Sequence, residues 1–202
     1  MFHFQGPSRC GKSYNVGNML KNLKHAAKEI PELVIYVYST WQSKYDEFLH
    51  LVDYFIEDDN DLEKNIKKYS ENKSVLLVLD DMMNSKNLKY FMQLFTVQAR
   101  HNAMSVIFIS QKLFAGDEMV RTIHHNSDYI LVHRNLRNNQ QIVTLANQMS
   151  PGNKTLVDIF LAATEDPYSY LLIDLTQECP KHLKYRSHMF DTPHVMKVYV
   201  EN

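Results

Sequence analysis

The sequence predicts an α/β fold, a three-layer sandwich with helices on both faces of a mainly parallel sheet. Three observations predict it. Short apolar runs alternate with helix-compatible segments along the whole chain, as strand–helix–strand units require. Two of those runs, residues 75–79 (VLLVL) and 104–109 (MSVIFI), are almost continuously apolar, the pattern of strands buried on both faces of a parallel sheet. Residues 6–13, Gly6-Pro7-Ser8-Arg9-Cys10-Gly11-Lys12-Ser13, complete a G-x-x-x-x-G-K-[ST] phosphate-binding loop between an apolar run and a helical stretch. That strand–loop–helix context gives the motif its meaning.

The elements follow in order. Residues 1–4 are a strand, and 13–28 are compatible with a helix. Residues 33–38 (LVIYVY), β-branched and aromatic after Pro31, are a strand; 52–56 are a short one, closed by the acidic turn 57–60. Residues 62–69 read as a short exposed helix and 75–79 as a buried strand. Residues 88–98 carry Leu88, Phe91, Met92, Leu94 and Phe95 at helical spacing. The strands 104–109 and 129–132 follow, then helices at 139–149, stopped by Pro151, and at 153–163. Residues 168–173 are expected to be the last strand. The tail after Asp174, with Lys181, Lys184 and Arg186, reads as irregular. The whole chain, 1–202, is expected to be one domain.

Composition narrows the partners. The 202 residues are 45% hydrophobic and 22% charged, with no run long enough for a membrane span. No signal-peptide pattern precedes the loop, so the protein is not expected to be secreted. Two cysteines, Cys10 and Cys179, make no disulfide framework and point to a reducing compartment. Cys10 stands near a helix N-terminus, where a thiol pKa tends to fall. A formal net charge of −1 excludes a protein that coats nucleic acid, so any such contact is confined to a few loops. The ten histidines include no zinc-site spacing and read as packing or solvated residues.

The loop defines a P-loop NTPase. Its backbone N–H groups wrap phosphates, with Gly6 and Gly11 supplying the dihedrals and the close approach. Lys12 reaches the β- and γ-phosphates of ATP, and the Ser13 hydroxyl ligates Mg²⁺. The run at 75–79 ends in Asp80-Asp81, a carboxylate pair that suits a Mg²⁺ ligand (Asp80) and a group that polarises the attacking water (Asp81). The next strand ends in Ser110-Gln111, where an amide beside the γ-phosphate orients water. Arg100, at the opposite edge of that strand, can reach a neighbouring copy as an arginine finger. Arg121, Arg134 and Arg137 are rival fingers. Lys86, Lys89 and Lys112 are candidates for DNA phosphate contact by position alone.

GPSRCGKS, IYVYSTWQSKYDEF, VLLVLDDMM, LFTVQARHNAMSVIFISQKLF, the segment from EMVRTIHH to LANQM and YSYLLIDLTQECP, in that order, resemble the genome-packaging ATPases of the FtsK–HerA superfamily. The poxvirus-type branch of large DNA viruses and Polinton/Maverick- or adintovirus-like elements is the nearest in pattern. The resemblance implies a RecA/FtsK–HerA-like sheet and an ATP-driven motor that moves double-stranded DNA into a preformed capsid. It implies a ring of five or six copies and capsid or portal-vertex partners. It places the protein inside the host cell, in a virus factory or nucleus, or with the virion. It assigns nucleotide contacts to Lys12 and Ser13, the metal to Asp80, catalysis to Asp81, sensing to Gln111 and the finger to Arg100. Arg9 stands where the family prefers a small residue, and Lys112 where an Asn is expected. The competing readings are a small nucleoside or nucleotide kinase with Arg134 and Arg137 as lid arginines, and a nucleotide-binding module without hydrolysis.

Overall fold

The computed structural model describes residues 1–27, 29–98, 103–114, 117–152, 154–191 and 195–201. Among them a nine-stranded sheet runs β3-β2-β4-β5-β1-β6-β7-β8-β9. The strands are β1 (Phe2–Gln5), β2 (Leu33–Tyr38), β3 (Tyr54–Glu57), β4 (Val75–Asp80), β5 (Met104–Ser110), β6 (Tyr129–His133), β7 (Tyr170–Asp174), β8 (Tyr185–Ser187) and β9 (Lys197–Tyr199). The first six pair in parallel and the last three antiparallel. The mainly parallel α/β architecture expected from the sequence is therefore present. Every residue of β4 is buried, as its unbroken apolar run requires.

Helices cover both faces. On one side lie α1 (Lys12–Lys21), the four-residue α2 (Leu23–Ala26) and 3₁₀ turns over Ser43–Leu51, kinked at Phe48. Their Val16, Met19, Leu20, Tyr45 and Phe48 pack on Val34, Tyr36, Val78, Ile107 and Ile109. On the other side lie α3 (Leu62–Ser70), α4 (Leu88–Gln93) and α5 (Glu118–His125), with Leu62, Ile66, Phe91 and Phe95 against Ile35, Leu77, Val106 and Phe108. Two further helices, α6 (Gln140–Met149) and α7 (Thr155–Ala163), extend this layer over β6 and β7.

Four sequence expectations change. The helix read at 13–28 ends at Lys21, where Asn22 leaves helical geometry and bonds its own side chain back to the Asn18 carbonyl. Residues 94–98 continue α4 as a π-helical turn. The strand expected at 168–173 begins only at Tyr170, runs to Asp174 and is not the last. The tail after Asp174 is not irregular: β8 and β9 extend the sheet, tied in by an Arg186–Asp174 ion pair that is nearly buried. Three-residue strands are too short to show a period, and an Arg at the centre of β8 hides the pattern further.

Gly17 decides how the first layer packs. A Cβ there would meet Phe48 Cδ1 at 3.2 Å, so the bare helix face admits the Ser43–Leu51 turns. Glycine inside a helix costs about 1 kcal/mol, which the close approach of that segment offsets. The approach brings Lys44 to the start of α1.

Candidate functional site

The loop at residues 6–13 joins β1 to α1. Gly11 caps the helix at φ 102°, a conformation that strains any residue with a side chain. A Cβ there would also meet Tyr168 Cβ at 2.9 Å, because the turn before β7 lies on the loop. Asn15 fixes that turn: its amide donates to the Tyr168 carbonyl at 3.0 Å and to His133 Nε2 at 2.9 Å. His133 in turn donates from Nδ1 to the Gln5 carbonyl at 3.0 Å. A strand end, a helix and a turn are thus locked around the loop. Arg9 is exposed and sits at φ 65°. Lys12 turns its ammonium onto the loop's own carbonyls, Gly6 at 2.6 Å and Pro7 at 2.7 Å.

The acids come from β4. Sheet order puts β5 between β1 and β4, so the end of β5 stands between the loop and the acids. Asp80 is 4% exposed. Its Oδ2 accepts from Tyr36 at 2.8 Å, Tyr45 at 3.0 Å and Ser13 at 3.4 Å, with Lys44 Nζ 3.8 Å away. Burial first, then the Asp80 charge, pushes both phenols up, so both remain donors. Asp81 has φ 61° and ψ 39°, and its N–H is held by the Ile109 carbonyl at 3.2 Å. Strained backbone of this kind collects at functional sites. The Gln111 amide donates to both Asp81 oxygens, at 3.3 and 3.4 Å.

These groups line one cleft of about 500 Å³ that includes Lys12, Ser13, Lys44, Asp80, Asp81 and Gln111. The donor set fits Mg²⁺. A serine hydroxyl and a buried carboxylate are the hard oxygen donors such an ion takes, and they stand together in the cleft.

No protein-family model matches the chain, and no curated protein sequence does. Solved structures do match. The genome packaging NTPase B204 from Sulfolobus turreted icosahedral virus 2, in complex with sulfate, aligns over 100% of this chain and 96% of its own, with TM-score 0.63 and 14% identity. Its complex with ATP-gammaS aligns over 100% and 97%, with TM-score 0.60 and 14% identity. The chain has the fold of a viral genome packaging NTPase. The cytoplasmic domain of EssC shares that fold over 98% of this chain and 39% of its own, with TM-score 0.53 and 15% identity.

Within this packaging-NTPase fold, Lys12, Ser13, Asp80, Asp81 and Gln111 share the cleft, as do Ser8, Arg9 and Gly11. Arg100 lies outside the described residues. Arg121 is exposed on α5, and Arg134 bonds the Thr164 carbonyl at 3.4 Å. Neither Arg134 nor Arg137 is among the residues that line the cleft. Lys86, Lys89 and Lys112 are exposed. Burial pushes the Cys10 thiol up against the opposing pull of Lys12, so the lowered thiol expected from its place near the helix does not arise. Burial also pushes the Lys12 ammonium down, opposed by Cys10, Asp80 and Asp81.

Sequence reading missed Lys44, Tyr36 and Tyr45, which form the near shell of Asp80. Only their position beyond or within the strand that neighbours the acidic one could have signalled them, and that neighbour relation is tertiary. The histidines, read as packing or solvated residues, include three that are buried: His3, His124 and His133. Burial pushes His133 and His124 down to about 4 and His3 to about 3, from an ordinary 6.5. All three are neutral in the fold and bind protons more readily when unfolded. Their stabilisation is complete above about pH 6.5 and drains away as pH falls towards 4. Thermal midpoints are therefore expected to fall between about pH 6.5 and 5, ahead of most carboxylate titration. A flat midpoint over that interval would contradict neutral burial of these rings.

Proposed function

We propose that the protein is an ATPase that couples ATP hydrolysis to movement of double-stranded DNA into a viral capsid, working as a ring of copies. The observation that carries the reading is the Gln111–Asp81 pair. Set at the ends of β5 and β4 and facing the phosphate loop, it suits the holding of a water, where a kinase would need to exclude one. The likeness to a packaging NTPase crystallised with ATP analogues supports the nucleotide and the biological setting.

In this reading the loop N–H groups and the α1 N-terminus bind the phosphates of ATP. Lys12 exchanges its two carbonyl acceptors for phosphate oxygens. Ser13 and Asp80 would hold Mg²⁺, which would supply charge neutralisation to the phosphates. Gln111 orients a water in line with the bond to be broken. The water oxygen bonds to the γ-phosphorus, the bond to the β-phosphate oxygen breaks, ADP departs and Asp81 takes the proton. Arg100 from a neighbouring copy would stabilise the charge that develops. Lys86 in the turn before α4, Lys89 in the first turn of α4, and Lys112 beside the sensor are the proposed DNA contacts.

Steady-state turnover with and without long double-stranded DNA, over a protein-concentration series, tests this. Turnover should rise with DNA and steepen with concentration. Turnover that is absent with DNA and present with a nucleoside acceptor would replace the motor by a kinase. Arg100→Ala is expected to lower turnover only where copies assemble; an equal loss in isolated subunits would make Arg100 a local structural residue.

A further inference from the structure

Lys44 carries no role in the sequence reading, yet its ammonium donates to Ser13 Oγ at 2.6 Å and stands 3.8 Å from Asp80 Oδ2. Those are the two oxygens assigned above to Mg²⁺. The lysine is not a loose surface charge that happens to lie near. Its neighbour Tyr45 is 1% exposed and donates to the same Asp80 oxygen, and Phe48 locks the segment against Gly17. Lys44 also lies over the Tyr45 ring at 5.4 Å. The backbone under Lys44 is therefore held by its neighbours, while its side chain lines the cleft and is 40% exposed.

We propose that Lys44 is a built-in competitor of the divalent cation, holding Ser13 and Asp80 until metal–nucleotide displaces it. The inference rests on the P-loop ATPase reading. Two physical arguments support it. A buried carboxylate needs a positive partner at all times, and Lys44 is the nearest ammonium to Asp80 in the structure's described ion pairs. A divalent ion ligated by Ser13 cannot share that oxygen with an ammonium in hydrogen-bond contact, because like charges at such separation repel strongly. The lysine then sets how much metal the site needs, and its release makes an ammonium available to phosphate oxygens in the same cleft.

The test is Mn²⁺ binding in the presence of saturating ADP, followed by the loss of the free-ion electron paramagnetic resonance signal. Lys44→Met is expected to lower the apparent Mn²⁺ Kd by about fivefold or more, since a competing charge is gone. Lys44→Gln, which keeps a donor for Ser13 without the charge, should show the same direction of change. Lys44→Arg should stay within about twofold of the wild type, because the charge remains. A packing role would not tighten metal binding in two variants and spare the third. An unchanged or raised Kd in both neutral variants would overturn the proposal. Failure of the wild-type protein to bind Mn²⁺ with ADP would overturn the ATPase reading and this inference together, whereas normal wild-type binding with unaltered variants would overturn this inference alone.

Discussion

Asp81→Asn is expected to leave nucleotide affinity within about threefold of wild type while ATP turnover falls by about 10²–10⁴-fold, the range of a lost general base. The structure makes this substitution unusually clean. Asp81 occupies left-handed backbone at φ 61°, which asparagine tolerates as well as aspartate does. Its N–H bond to the Ile109 carbonyl does not involve the side chain. Removing the carboxylate therefore leaves the turn intact and takes away the proton acceptor together with one of the two oxygens that accept from the Gln111 amide. Equilibrium binding of a fluorescent ADP analogue, measured beside steady-state hydrolysis, checks both halves. Turnover close to wild type would remove Asp81 from the chemistry.

Lys12→Ala is expected to weaken ADP and ATP binding by about 10²–10⁴-fold, as loss of two charge-assisted contacts at about 1.5–3 kcal/mol each requires. Here the structure adds a structural cost. The Lys12 ammonium bonds the Gly6 and Pro7 carbonyls, so the alanine variant also loses the internal brace of the loop. Isothermal titration with ADP separates the two effects when read beside thermal stability. A binding loss with an unchanged melting temperature assigns the effect to phosphate contact. Tight ADP binding by the variant would sink the phosphate-loop assignment.

How much of this was legible beforehand follows from the range of the signals. β2 was readable to the residue, and β4 nearly so, because buried parallel strands are written as unbroken apolar runs. The loop and the acidic pair were readable because their chemistry is local in sequence. The arrangement that gives them meaning, β5 between β1 and β4, was not, since strand order is a property of packing. Lys44 reaches Ser13 only because Gly17 admits the Ser43–Leu51 turns, a relation between residues far apart in the chain. Helix α5 was passed over although Asp117 caps it by accepting from the N–H groups of Met119 and Val120, a signal present in the sequence. The C-terminal strands were hidden by their brevity.

The chain's single tryptophan, Trp41, precedes the cleft-lining Gln42 and is 44% exposed, with Tyr38 and Tyr45 rings each 5.4 Å from its own. Light absorbed by those tyrosines will pass to the indole, and the Tyr45 hydroxyl is bound to Asp80. The protein therefore carries its own optical probe: emission from one ring, open to a dissolved quencher, reports on the carboxylate at the centre of the site without any label.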